Sequence, residues 1–193
     1  MFDILISGLG LFALSPLFIL VAIWIKLDSE GPVFYKQTRV GKGNKDFQLY
    51  KFRSMVTQAD MNGLLTVGDH DSRVTRAGYF IRKYKLDELP QLINVFRGEM
   101  SLVGPRPEVR KYVDMYTPEQ MHVLDIRPGI TDIASIKYRN ENDLLAKAEN
   151  PEQYYIDVIM QDKLRINLEY VKHNSLLNDF KMILDTFVAI LRR

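Results

Sequence analysis

An aspartate and a glutamate stand side by side in the run Leu86-Asp87-Glu88-Leu89-Pro90. A carboxylate can attack phosphorus and become a covalent acyl-phosphate. A neighbouring carboxylate can help hold Mg²⁺, which prefers oxygen ligands and substrate phosphates. Cations crowd the same stretch: Arg76, Arg82, Lys83 and Lys85 precede the pair, and Arg97 and Arg106 follow it. Gly104-Pro105-Arg106-Pro107 is a stiff loop that would fix one guanidinium for two-pronged contact with phosphate oxygens. The pair also has an ordinary structural use. Asp87 is a natural N-cap, Glu88 complements a helix dipole, and Pro90 fits a first turn, where its missing N–H has no partner. A helix N-terminus itself favours anions, so the two uses are compatible. The ensemble points to phosphoryl-type transfer, with capping as the alternative for Asp87.

Composition narrows the chemistry further. The chain has 193 residues, is 47% hydrophobic and holds no cysteine. Disulfides, thiolate zinc sites and cysteine nucleophiles are therefore excluded. Histidines stand only at 70, 122 and 173, without metal-ligand spacing. A formal net charge of +2 is too small to argue for nucleic acid. Locally, Lys36, Arg39, Lys42, Lys45, Lys51 and Arg53 form a basic stretch suited to phosphate groups or acidic lipid heads, or to plain solvation.

The elements that must position these groups begin with an apolar run. Ile4–Ile25 carries no charge, and about 20 apolar residues suffice to cross a bilayer. There is no basic leader and no small-residue cleavage site, so a removable signal is not expected. Basic residues after the run place its C-terminal side in the cytoplasm. Ser15 and Pro16 interrupt it: proline removes a helical hydrogen bond, and the serine hydroxyl can serve the carbonyl so freed. A kinked spanning helix, a re-entrant helix and a buried soluble helix all remain open from composition.

Val33–Val40 and Phe47–Phe52 read as strands joined by the turn GKGNK. Residues 57–72 read as a loop with a short helix. Arg76–Lys85 has helical character, and Leu89, Leu92, Ile93 and Phe96 make the apolar stripe of a helix that Gly98 ends. Ser101–Val109 reads as an irregular loop, and Arg127-Pro128-Gly129 as a turn. Asn150 should cap a helix opened by Pro151. Leu176–Leu191 reads as an amphipathic helix, packed on the domain or lying on a membrane.

Seven short motifs then occur in a distinctive order. They are Leu14-Ser15-Pro16-Leu17, Gly31-Pro32-Val33-Phe34, Tyr50-Lys51-Phe52-Arg53-Ser54-Met55, Asp71-Ser72-Arg73-Val74-Thr75, Leu86-Asp87-Glu88-Leu89-Pro90-Gln91, Ser101-Leu102-Val103-Gly104-Pro105-Arg106-Pro107 and Arg127-Pro128-Gly129-Ile130-Thr131. With them the chain resembles, over nearly its whole length, the bacterial sugar transferases, or monotopic phosphoglycosyl transferases, in their minimal form.

The resemblance implies an α+β fold. A re-entrant membrane helix, kinked at Ser15-Pro16, would cover residues 1–26. A small, mainly helical catalytic domain with a β-hairpin would follow at 27–193, lying on the cytoplasmic face of the bacterial inner membrane. The implied reaction moves a phosphosugar from a UDP-sugar to undecaprenyl phosphate and releases UMP, as the first membrane step of surface-glycan synthesis. By the same resemblance Asp87 is the nucleophile and the protein ligand of Mg²⁺, with Glu88 its partner. Arg106 holds phosphate, Arg82 supports it, and Lys51 and Arg53 are further phosphate contacts. Membrane lipids are implied partners, and association into a homo-oligomer stays open. Two positions depart from the family's pattern: Asp132 replaces a usual glycine, and Asn167 stands where an aspartate is usual.

Overall fold

A computed structural model describes residues 2–59 and 71–191. Most of the expected loop at 57–72 lies outside the described residues. Elements follow in the order α1 (Phe2–Ala13), α2 (Ser15–Asp28), β1 (Phe34–Gly41), β2 (Lys45–Phe52), α3 (Arg76–Lys83), α4 (Gln91–Phe96), β3 (Ser101–Val103), α5 (Arg110–Val113), β4 (Gly129–Thr131), α6 (Ile133–Lys137) and α7 (Glu141–Ala146). Three helices complete the chain. α8 (Pro151–Tyr154) runs through a wide turn, Tyr155–Ile159, into α9 (Met160–His173), and α10 covers Leu176–Leu191. The described chain is mixed helix and strand, mostly helical.

The apolar run is two helices, not one. α1 and α2 meet at Leu14 and are bent by 61°. Pro16 has no N–H to give the Phe12 carbonyl four residues back, and the Ser15 hydroxyl donates to that carbonyl at 2.8 Å. Among the described residues no single helix is long and apolar enough to cross a membrane; the bent pair reaches that length and apolar composition only when its two helices are taken together. Phe2, Leu5, Leu9 and Phe12 of α1 and Ile19, Leu20, Ile23 and Leu27 of α2 are exposed. An apolar surface of that extent is unusual on a soluble monomer.

The opposite side of this pair is welded to the rest of the chain. Gly8 and Gly10 let α1 lie close on α4: a Cβ at Gly8 would stand 3.2 Å from the Phe96 ring, and one at Gly10 3.5 Å from Leu92. At the far end of α2, Asp28 Oδ2 accepts from the Ala77 N–H at 2.9 Å, next to the Thr75 hydroxyl that accepts from Gly78 at 3.0 Å. Two buried N–H donors of the α3 N-terminus that have no intrahelical partner are satisfied in this way, one of them by the preceding helix.

β1 and β2 form the expected antiparallel hairpin, in the register Phe34↔Phe52 to Gly41↔Lys45. Its turn uses left-handed backbone at Gly43 and Asn44, the residue types that tolerate it. Phe52 packs between Phe34 and Phe18, beside Val21, Ile25 and Ile81. A second core joins Val109, Tyr112, Leu145, Tyr155, Ile159 and Leu164 under α9. Asn150 caps its helix as expected, accepting from the Gln153 N–H at 3.1 Å.

Two expectations are corrected. Ser101–Val109 is not irregular throughout, and Arg127-Pro128-Gly129 is more than a turn. Ser101–Val103 and Gly129–Thr131 pair as parallel strands, Ser101 opposite Gly129 and Val103 opposite Thr131. Three-residue strands are too short to show an alternating pattern, and their partner lies far off in sequence.

Candidate active site

The acidic pair sits on neither α3 nor α4 but on the turn between them. α3 stops at Tyr84, Lys85 adopts a left-handed backbone with φ 56°, and Leu86–Glu88 make a single 3₁₀ turn. A lysine at positive φ is uncommon and concentrates where the surrounding structure over-determines it. Leu86 and Leu89 pack on the Val21/Ile25/Phe52/Ile81 cluster and peg the turn at both ends.

The capping alternative for Asp87 is thereby corrected. α4 begins after Pro90, and no side chain caps it. Asp87 is 7% exposed, and its Oδ1 has no hydrogen-bond partner. Glu88, one residue on, is fully engaged. Arg106 grips it with both terminal nitrogens, Nη1 on Oε2 at 3.1 Å and Nη2 on Oε1. Lys51 Nζ lies 3.6 Å from the same Oε1.

Environment separates the two carboxyls. Burial, and then the charge of Glu88, push Asp87 up from the ordinary carboxylate range. Burial acts on Glu88 in the same sense, but Arg106 and Lys51 outweigh it and hold Glu88 well below that range. Burial, followed by the opposing pull of Glu88, lowers Lys51 to about 8. Lys85 and Arg82 add positive potential at Asp87. Four cations thus surround two carboxylates, which leaves the site suited to a dianionic group such as a diphosphate.

Lys51 owes its place to Asn94. The Asn94 carboxamide accepts from the Tyr50 N–H at 3.0 Å and donates to the Gln48 carbonyl at 2.7 Å, pinning β2 to α4. Arg53, two residues after Lys51, has a different task. Its Nη2 donates to the carbonyls of Ser29 at 2.8 Å and Ile25 at 3.4 Å, and its Nη1 to that of Glu30. It holds the C-terminal end of α2 through both terminal nitrogens, and it lines the same cavity as Lys51.

All of Lys51, Arg82, Asp87, Glu88 and Arg106 line one cavity of about 1720 Å³. Ile6 and Leu14 of the apolar helix pair line it too, and so do Asp132 and Asn167. Sequence reasoning singled out these last two only as departures from a family pattern; it did not place them beside the pair. It noticed Lys85 as one of several cations but had no signal for its strained backbone. Asn94 and Asp28 were missed, because their partners are backbone groups of distant segments.

Among the described residues no group of three or more acidic or histidine side chains could hold a metal by itself. With Glu88 engaged, Asp87 is the carboxylate at the pair with an unpartnered oxygen. One carboxylate oxygen together with substrate phosphates is a donor set that Mg²⁺ accepts. Four cations disfavour a bare Mg²⁺ here, so the residues fit a metal that arrives with a diphosphate.

Comparison with known proteins identifies the family. The family model described as bacterial sugar transferase matches residues 1–193. The UDP-N-acetylgalactosamine-undecaprenyl-phosphate N-acetylgalactosaminephosphotransferase of Aeromonas hydrophila is 40% identical over 196 residues, covering 98% of this chain and 42% of that protein. The UDP-glucose:undecaprenyl-phosphate glucose-1-phosphate transferase of Caulobacter vibrioides is 36% identical over 192 residues, covering 98% and 68%. The exopolysaccharide production protein PSS of Rhizobium leguminosarum bv. phaseoli is 39% identical over 200 residues, covering 100% and 94%. The chain spans less than half the length of the Aeromonas relative and nearly all of the Rhizobium one. A family match over every residue, together with relatives 36–40% identical over nearly the whole chain, places this chain in the bacterial sugar transferase family.

Proposed function

We propose that this protein transfers a phosphosugar from a UDP-sugar to undecaprenyl phosphate and releases UMP, with Asp87 as covalent nucleophile. One observation carries the reading: of two adjacent carboxylates lining the cavity, Glu88 is tied to Arg106 and Lys51, while Asp87 has an oxygen without a hydrogen-bond partner. In the first step Asp87 attacks the phosphorus that bears the sugar. The bond from that phosphorus to the UMP oxygen breaks, and UMP leaves with the electron pair. In the second step an oxygen of the lipid phosphate attacks the same phosphorus, the bond to Asp87 breaks, and the carboxylate is restored. Each displacement needs in-line geometry and neutralised charge. Arg106 has five N–H donors, so a fork on Glu88 leaves others for phosphate oxygens. Lys51 and Arg82 supply further positive charge. Mg²⁺, held by Asp87 and the diphosphate, would add charge neutralisation.

The membrane arrangement belongs to the same proposal. The bent α1–α2 pair enters and leaves one leaflet of the inner membrane, with the catalytic region on the cytoplasmic face. Ile6 and Leu14 at the cavity wall give a lipid tail an apolar approach to a charged site.

Product analysis tests the reading. With undecaprenyl phosphate and a panel of UDP-sugars, UMP is the expected nucleotide product. UDP as product would indicate ordinary glycosyl transfer, and no product at all would leave a lipid-binding adaptor. Excess EDTA should stop turnover; full activity in EDTA would remove the metal.

The pH profile gives a second test. Protonation removes Asp87 as a nucleophile, so kcat/KM should fall on the acid side above the ordinary carboxylate range. Loss of charge on Lys51 should give an alkaline limb near 8. Lys51→Arg should abolish that alkaline limb, because a guanidinium stays charged. An unchanged limb in Lys51→Arg would take Lys51 out of the account.

A further inference from the structure

The cavity has a polar wall of which the transfer chemistry uses only Arg106. It is built where β3 and β4 end. The Gly104 N–H donates to the Thr131 carbonyl at 3.1 Å, and the Gly129 N–H to the Pro105 carbonyl at 3.0 Å. A Cβ at Gly129 would stand 2.1 Å from Gly104 N, so only glycine lets the two chains run so close. Arg106 follows one strand and Asp132 the other, and this clasp holds them in one fixed relation. Both line the cavity. Each lies within electrostatic reach of the other, yet no ion pair joins them.

Asp132 is 3% exposed. Its Oδ1 accepts from the Ser135 N–H at 2.8 Å and caps α6. Its Oδ2 is buried without any hydrogen-bond partner. Leaving a buried polar atom unpaired costs about 1–3 kcal/mol. The cap needs only Oδ1, so α6 does not explain the second oxygen. The nearby cation does not answer it either: Lys163 is bound to Glu141 and lies over the Tyr138 and Tyr155 rings at 5.8 and 5.4 Å. The wall therefore carries an unspent acceptor, one strand end away from the guanidinium that faces phosphate.

In a nucleotide sugar the pyranose hangs directly from the phosphorus that is attacked. With a phosphate on Arg106, cavity-lining groups near that guanidinium, Asp132 among them, are candidates for its ring hydroxyls. We infer that Asp132 is a specificity-determining residue, whose Oδ2 accepts a hydrogen bond from one ring hydroxyl of the donor sugar and so selects among UDP-hexoses. The inference rests on the phosphosugar-transfer reading above.

The test measures kcat/KM for UMP release with UDP-glucose, UDP-galactose, their N-acetyl counterparts and singly deoxygenated analogues. Wild type is compared with Asp132→Asn and Asp132→Ser, both of which keep an oxygen able to cap α6. The expected result is a change in sugar ranking. The preferred donor loses roughly ten- to hundred-fold, as for a hydrogen bond to a charged group, while at least one other donor changes less than about threefold. The deoxy analogue that lacks the selected hydroxyl should be handled alike by wild type and variants. A uniform loss across all donors, or no change, overturns the inference and leaves Asp132 a helix cap. Wild type that releases no UMP from any donor would instead overturn the transfer reading, and the inference with it.

Discussion

Replacing Asp87 by asparagine is expected to lower turnover by about 10⁴-fold or more, because the variant has no carboxylate to form the covalent intermediate. The same change should leave the fold intact or strengthen it. Asp87 caps no helix, and its Oδ1 is buried without a partner. Burial holds its carboxyl up from the ordinary range, so the native state binds that proton more tightly than the unfolded chain does. For a group raised in this way, stability increases as pH falls through its folded-state pKa. Asparagine removes the penalty at neutral pH. The melting temperature of Asp87→Asn at pH 7 should therefore equal or exceed that of wild type, and the difference should shrink as the pH is lowered. Wild-type-like UMP release from the variant would sink the nucleophile assignment. A large loss of stability would instead return Asp87 to a structural role.

Arg106→Met should cost both stability and activity, and the stability part should be repaired by a second change. Glu88 is a buried carboxylate held by the Arg106 fork and by Lys51. Removing one partner of such a pair strands the other, at roughly 3–5 kcal/mol for a fully buried pair. Arg106 is about a third exposed, which reduces the figure to roughly 2–3 kcal/mol. For a chain of this size that is a fall of roughly 5–10 °C in Tm. In Arg106→Met/Glu88→Gln no carboxylate is stranded, and more than half of the fall should be recovered. Activity should not return, because phosphate has lost its guanidinium and Lys51 its anchor. Glu88→Gln alone should lower kcat about 10²-fold through misplacement of Arg106 and Lys51. The measurements are thermal unfolding in detergent and UMP release on the three variants. Additive losses of stability in the double variant would show that Arg106 and Glu88 do not act as a unit.

Several features were legible from residue order alone. The apolar length of 4–25, the break at Ser15-Pro16, the hairpin on either side of GKGNK and the Asn150 cap all depend on neighbours within a few residues. So does the closeness of Asp87 and Glu88, and the charge that crowds them. Local sequence fixes such features because propensity, proline chemistry and short hydrogen bonds act over one turn of chain. The family motifs tied these pieces to a type of reaction.

What the sequence could not do was divide labour between equal-looking side chains. Asp87 and Glu88 are adjacent carboxylates; only the arrival of Arg106 and Lys51 from other segments engages one and leaves the other unpaired. Lys51 and Arg53 are cations of one motif, two residues apart, yet one reaches the acidic pair and the other binds the end of α2. β3 and β4 were invisible because three residues carry no pattern and parallel pairing joins distant segments. Asp132 took its meaning from the same pairing, which sets it beside Arg106 with one oxygen unspent. The sequence by itself determined which chemical groups this protein owns and where its apolar run bends. Tertiary structure decided which of those groups are paired and which remain available, because long-range contacts govern burial, and burial decides whether a charge is neutralised, held or left to react.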